Sequence, residues 1–280
     1  MSLLLVLWGE SYRSGKQMTR TRGTKNYLER QHIACDSHIN LINKLNTEYK
    51  TDVFINTYKL NNIDDNNLIE YYKKNNVEIL KYIFHDNIFS SEEHFLDNMY
   101  DNVNNLLETI NYDYVILLRI DLYIKSMFIK NITLEPDKIQ FPHIDSNMDF
   151  NMEHFFLTKE IAICHFIMIC PKKFYDIIKK KIIYNTTHSI YNKILNSGIS
   201  IDNVKFMLNT LHICSTDSGW NPLYIQVGRE YKLLYNEIEG STYIYENHNF
   251  VLDYEKSIGF CNEYMNKETE EYKFLLPILY

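Results

Sequence analysis

Across the first 121 residues, short apolar runs alternate with helical stripes, and this alternation limits the fold more than any other feature. Leu3–Trp8 (LLLVLW), Thr51–Thr57 (TDVFINT), Val77–Phe84 and Tyr112–Asp121 each have the length and β-branched, aliphatic or aromatic content of a strand. Lys25–Tyr49 lies between the first two and carries Ala34, Leu41, Ile42, Leu45 and Tyr49 near helical spacing. Asp64–Asn75 reads as a second helix. A third, opened by Ser90 and Glu93 as a capping box, lines up Phe95, Met99, Val103, Leu106, Leu107 and Ile110 on one stripe. Strands that alternate with helices pack as a mostly parallel sheet with helices on its faces, a Rossmann-like α/β class.

The second half is less regular. Lys138–His143 and Ile163–Cys170 read as strands, and Pro171 opens a helix expected to run through Ile183. Ser200 is the expected cap of a helix over Ser200–Leu211, and Tyr224–Arg229 is a short strand. No Gly/Ser-rich or Pro-rich linker and no internal repeat divides the chain. The expectation is one continuous domain over residues 1–280 with a decorated C-terminal half.

Charge and cysteine usage exclude several classes. Net charge is −7 and the isoelectric point about 5.8, which argues against a nucleic-acid partner. The five cysteines, Cys35, Cys164, Cys170, Cys214 and Cys261, form no C-x-x-C pair. Neither a zinc site nor a disulfide scaffold is indicated, and a reducing, cytoplasmic compartment is expected. The apolar start Leu3–Trp8 lacks a basic flank and a cleavage site, so it reads as a buried strand and not as a signal peptide. No apolar run approaches the ~18 residues of a membrane span.

Two segments carry the chemistry. The run Tyr114-Val-Ile-Leu-Leu-Arg119-Ile-Asp121 ends in a cation and a carboxylate two residues apart, and strand alternation would put both on one face. Open α/β sheets bind ligands at the C-terminal ends of such strands. The loop Gly9–Thr24, with Lys25, holds Arg13, Lys16, Arg20, Arg22 and Lys25 against the single acid Glu10. It stands between a first strand and a first helix, where free N–H groups and the helix dipole favour anions. Arginine also binds phosphate directionally. The loop therefore reads as a diphosphate site.

Known nucleotide motifs are absent. Five residues separate Gly9 from Gly15-Lys16, one too many for a P-loop, and Gln17 replaces its magnesium-holding Ser or Thr. There is no G-x-G-x-x-G for a dinucleotide and no G-x-S-x-G hydrolase elbow.

With these pieces in order, the chain resembles the nucleotide-sugar glycosyltransferases of the GT-A fold, whose signature is Asp-x-Asp at a strand end. Arg119-Ile120-Asp121 stands at that place, with Arg in the first position. Thr51–Tyr58, Ile169–Phe174 and Asn221–Tyr224 also resemble pieces of glycosyltransferase-like proteins of large DNA viruses, for which the compartment would be the host cytoplasm. The resemblance implies a nucleotide-binding half over residues 1–125 and an acceptor-side half over 126–280. The implied donor is a nucleoside diphosphate sugar and the implied acceptor a glycan or glycoprotein. Gly9, Glu10, Arg13, Lys16, Arg20, Arg22 and Arg119 would hold the donor. A divalent cation, manganese or magnesium, would be held by Asp121 and His212. Asp217, in the turn-rich stretch His212–Pro222, and Asp145 and Asp149, after the strand at Lys138–His143, are the candidate catalytic carboxylates. Two other readings are open: a degenerate glycan- or nucleotide-binding module, and a sulfotransferase- or kinase-like phosphate binder.

Overall fold

The computed structural model describes residues 1–14, 21–22, 25–59, 66–86, 92–145, 162–164, 166–179, 194, 196–207, 223–226, 243–246 and 249–252. In chain order these form β1 (Ser2–Gly9), β2 (Arg13–Ser14), β3 (Thr21–Arg22), α1 (Lys25–Asn46), β4 (Lys50–Tyr58), α2 (Asn66–Lys74), β5 (Ile79–His85), α3 (Glu92–Thr109), β6 (Tyr114–Arg119) and β7 (Leu122–Ile124). There follow α4 (Ser126–Asn131), β8 (Ile139–Phe141), β9 (Ile144–Asp145), β10 (Ala162–Ile163), β11 (Ile167–Pro171), α5 (Lys172–Ile178), β12 (Val204–Phe206), β13 (Tyr224–Gln226), β14 (Tyr243–Glu246) and β15 (Asn249–Leu252).

Seven strands make the central sheet in the order β12-β8-β11-β6-β1-β4-β5. All neighbours pair in parallel except β11, which runs against both β6 and β8. This is the mixed α/β, mostly parallel architecture expected from the strand–helix alternation. Residues alternate in side along β1. Leu3, Leu5 and Leu7 join a core with Cys35, Ile39 and Ile42 of α1 and Leu68 and Tyr72 of α2. Leu4, Val6 and Trp8 face the other way, into a core with Met99 and Val103 of α3 and Phe174 and Tyr175 of α5. A strand buried on both faces has to be apolar throughout, which is why Leu3–Trp8 shows no polar alternation.

From β1 the chain steps outward to β4 and β5, then returns by α3 to lay β6 on the opposite side of β1. The order reverses between β1 and β6. In open α/β sheets the crevice at the C-terminal ends of such a strand pair is where ligands bind.

Four expectations are corrected. Tyr112–Asp121 is not one strand. β6 ends at Arg119, a turn covers Ile120 and Asp121, and β7 leaves the main sheet to pair antiparallel with β13. Ile163–Cys170 is two strands, β10 and β11, because the chain first pairs with β9 and then crosses to β6; His165 lies outside the described residues. Over its described residues, 200–207, the expected helix Ser200–Leu211 is not an α-helix. Ser200 does cap, its Oγ accepting from Asp202 N at 3.2 Å, but the cap opens only a 3-10 turn over Ile201–Asn203. Val204–Phe206 then extends along β8, where an edge pairing offers more than a helix could. The helix after Pro171 ends at Ile178, and residues 180–193 lie outside the described residues, as does Ser90 of the expected capping box.

Candidate functional site

β1 ends in Gly9 and β6 in Arg119, and the two strands are in register up to Trp8 and Arg119. Gly9 has φ +102°, a conformation open to glycine. A Cβ there would lie 3.8 Å from Arg119 Cγ, so backbone shape and not crowding demands the glycine. The chain then turns back under itself. Ser11 and Tyr12 are buried, and Tyr12 holds φ +54°, unfavourable for a bulky residue. Two side chains fix the turn. Thr57 Oγ1, at the end of β4, donates to Gly9 O at 2.7 Å and accepts from Ser11 N at 3.3 Å. Gln31 Oε1, on α1, accepts from Tyr12 N at 2.9 Å. Gly9, Ser11 and Tyr12 of the expected polar loop Gly9–Thr24 are thus buried, and Arg13 pairs with Arg22 in a small ladder.

Across the crevice, Arg119 Nε and Nη2 donate to Asp121 Oδ1 and Oδ2 at 2.9 and 2.6 Å. The guanidinium is 4.1 Å from the centre of the Phe166 ring. This bidentate, stacked arrangement suits arginine and would not suit lysine. Alternation along one strand is not what joins the two residues; the turn at Ile120 folds the carboxylate back onto the guanidinium. Both side chains are almost fully buried, 8% and 1% exposed. The segment is tied to its neighbours by Arg119 N to Phe166 O at 2.9 Å and Ile120 N to Trp8 O at 2.7 Å.

Helix α1 grips the same segment from behind. Gln31 Nε2 donates to Ile120 O at 2.8 Å, and Ile124 N donates to Ser37 Oγ at 2.8 Å. His38 Nε2 lies 2.7 Å from Leu122 O and His38 Nδ1 2.8 Å from Tyr72 OH. A carbonyl can only accept, so Nε2 carries the proton and Nδ1 accepts from the phenol. Burial pushes the His38 pKa down to about 4, although the Leu122 carbonyl and the Asp121 charge pull it back upward. Burial likewise pushes the Cys35 thiol, one turn after Gln31, up to about 12, leaving it a neutral packing group.

A second buried cluster stands behind Phe166. The Tyr224 hydroxyl is 3.1 Å from His143 Nε2 and 3.0 Å from Cys164 Sγ, and the Tyr224 ring meets Phe166 edge-on.

Of the expected site residues, Gly9, Arg119 and Asp121 come together at the switch point, with Glu10 half-buried beside Gly9. Arg13 and Arg22 are brought opposite each other on β2 and β3. Asp145 lies on β9, paired with Ala162. Lys16, Arg20, Asp149, His212 and Asp217 lie outside the described residues. Gln31, Thr57, Phe166 and His38 were not expected. Gln31 and His38 had a signal, since both interrupt the apolar stripe of α1 at helical spacing with Ala34, Cys35 and Leu41.

The described residues do not fit a divalent ion at Asp121. Such an ion is held by several oxygen ligands. Both Asp121 oxygens accept from the Arg119 guanidinium, which itself places a positive charge there. Among the described residues no group of three or more His, Cys, Asp or Glu comes together. No described helix is long and apolar enough to cross a membrane.

No protein-family profile matches the chain, and no curated protein matches it. Among solved structures, a glycosyltransferase involved in glycosylating the major capsid of PBCV-1 aligns over 74% of this chain and 81% of its own, at 8% identity and TM-score 0.40. The galactosyltransferase LgtC, solved with donor and acceptor sugar analogues, aligns over 74% and 73%, at 12% identity and TM-score 0.36. A mutant Drosophila β-1,4-galactosyltransferase 7, in complex with manganese, UDP-Gal and xylobiose, aligns over 90% and 93%, at 7% identity and TM-score 0.41. Likeness at this level transfers neither a site nor a substrate.

Proposed function

We propose that the chain is a glycosyltransferase that moves a sugar from a nucleoside diphosphate sugar to a hydroxyl of a glycan or glycoprotein. Residues 1–125 would hold the donor and 126–280 the acceptor. The observation that carries the reading is the buried Arg119–Asp121 pair at the C-terminal end of β6, beside the glycine turn of β1 and at the point where strand order reverses. The basic loop that follows β1 would take the diphosphate, with Arg13 and Arg22 on its ladder. In the transfer, the bond from the sugar's anomeric carbon to the diphosphate breaks and its electron pair leaves with the phosphate. The acceptor oxygen bonds to that carbon, and its proton passes to a carboxylate, for which Asp145, Asp149 and Asp217 are the candidates. Fixed positive charge at the leaving group is what lowers such a barrier; Arg13 and Arg22 would supply most of it, because the Arg119 charge is balanced by Asp121. The resemblance assigns this work to manganese or magnesium.

A thermal-shift panel of UDP, GDP, CMP and adenosine 3′,5′-bisphosphate, each in EDTA and in manganese, tests the reading. A ligand at 100 times its dissociation constant adds about 2.7 kcal/mol to the folded state. A nucleoside diphosphate should raise the melting temperature in EDTA as well as in manganese. No shift with any nucleoside diphosphate, or a shift with the bisphosphate alone, overturns it. The tight pairing of Asp121 with Arg119 also suits a module that binds the donor without transferring it. Release of nucleoside diphosphate from the donor in the presence of glycan acceptors separates the two.

A further inference from the structure

Gln31 is a buried amide at 1% exposure, and it uses its two ends on two different parts of the crevice. Its oxygen accepts from Tyr12 N, in the turn that leads into the basic ladder. Its nitrogen donates to Ile120 O, the residue between Arg119 and Asp121. Cys35 Sγ, 3.7 Å from the same nitrogen, closes the remaining side. Tyr12 cannot hold φ +54° without support, because a bulky residue there is strained by about 1–3 kcal/mol. A neutral hydrogen bond contributes about that much when the alternative is a buried, unpaired amide. One side chain thus ties the turn at Ser11 and Tyr12 to the turn at Ile120 and Asp121.

We infer that Gln31 is a positioning residue that sets the spacing between the turn at Ser11 and Tyr12 after β1 and the Arg119–Asp121 turn, and so sets how well the crevice grips a diphosphate. The inference rests on the donor-binding reading above. Gln31 touches no phosphate itself; it acts through Tyr12 and Ile120. An amide is required because one group must be an acceptor for an N–H and a donor to a C=O. Methionine fills the same volume and does neither. Glutamate accepts from Tyr12 N but, when ionised, opposes the Ile120 carbonyl.

The test is calorimetric titration of UDP, GDP and CDP, and of uridine, guanosine and cytidine, into wild type, Gln31→Met and Gln31→Glu. Each protein is held well below its own melting temperature. Wild type should bind one diphosphate more tightly than the matching nucleoside. Gln31→Met should lose about tenfold on that diphosphate and keep the nucleoside within about twofold. Gln31→Glu should lose at least as much, since its carboxylate adds negative charge beside Ile120 O. A purely structural role would lower the melting temperature and leave the diphosphate-to-nucleoside ratio unchanged. Unchanged ratios in both variants, or equal losses on both ligands, overturn the positioning role while leaving the donor-binding reading intact. If Gln31→Met does not fold, the ratio in Gln31→Glu decides. A wild-type protein that binds no diphosphate overturns both.

Discussion

The two flanks of the sheet are built on different rules. On the side of β4 and β5, each strand pair of the main sheet is parallel, and α1, α2 and α3 lie in the connections. On the side of β11, β8 and β12, one strand is reversed and the strands are short. The crevice lies on the seam, where β1 belongs to the first flank and β6 is shared with the second. The regular flank supplies rigid backing through α1, whose Gln31, Ser37 and His38 hold the backbone at Ile120, Leu122 and Ile124. The irregular flank supplies Phe166, whose ring lies against the guanidinium. A precise site can be assembled where a repetitive scaffold meets a variable one, because the first limits movement and the second brings chemistry.

The seam should show the largest effect. Asp121→Asn removes one member of a buried ion pair and leaves Arg119 without its charge partner, at a cost of about 3–5 kcal/mol. Sugar transfer should fall by orders of magnitude in protein that circular dichroism shows to be folded. In urea melts the double variant Arg119→Met/Asp121→Leu should be closer to wild type than Asp121→Asn is, since an apolar pair leaves no buried charge. Transfer at the wild-type rate by Asp121→Asn would remove the pair from the mechanism.

The regular flank should be sensitive to acid through His38. Its pKa is lowered in the fold, from 6.5 to about 4, so the unfolded chain binds a proton that the folded chain refuses. This contribution to stability is present in full above pH 6.5 and is lost as pH falls through 4, a change of about 3 kcal/mol. Urea melts at pH 7 and pH 4.5 should show a steeper fall in wild type than in His38→Gln, which can still donate to Leu122 O. Parallel pH profiles for the two proteins would mean that His38 is not the group responsible.

What could be read in the sequence follows the same division. β1, α1, β4, α2, β5 and α3 lie within a few residues of their expected bounds, because each is long enough for its burial to leave a clear mark, a continuous apolar run in β1 and a helical stripe in the helices. The errors cluster where elements are short. Val204–Phe206 is too short for a period, so the Ser200 cap pointed to a helix that edge pairing with β8 overrides. Arg119 and Asp121 were legible as a pair, but their geometry was not, since a turn and a strand end share the same local sequence. Phe166 had no signal, because its partnership with Arg119 is made entirely by the reversal of β11.

A smaller effect is expected on the loop. Arg13→Ala and Arg22→Ala should each weaken diphosphate binding by roughly 1.5–3 kcal/mol, the range for a charge-assisted bond. Nucleoside binding should hardly change. Titration of UDP beside uridine, in low and physiological salt, checks this, and the loss should shrink as salt screens the loop. Equal weakening of both ligands would assign the loop to something other than phosphate.

The smallest effect belongs to the irregular flank. Tyr224→Phe keeps the ring against Phe166 and removes only the hydroxyl shared with His143 and Cys164. Those two groups then lose one partner inside the core, which should cost about 1 kcal/mol in a urea melt. Because the edge-on contact with Phe166 survives, the guanidinium should keep its place and diphosphate affinity should stay within about twofold of wild type. A larger loss of affinity, at unchanged stability, would show that the irregular flank also orients Arg119. The division of labour between backing and chemistry would then fail at that point, with the hydroxyl network acting on the guanidinium through the Phe166 ring.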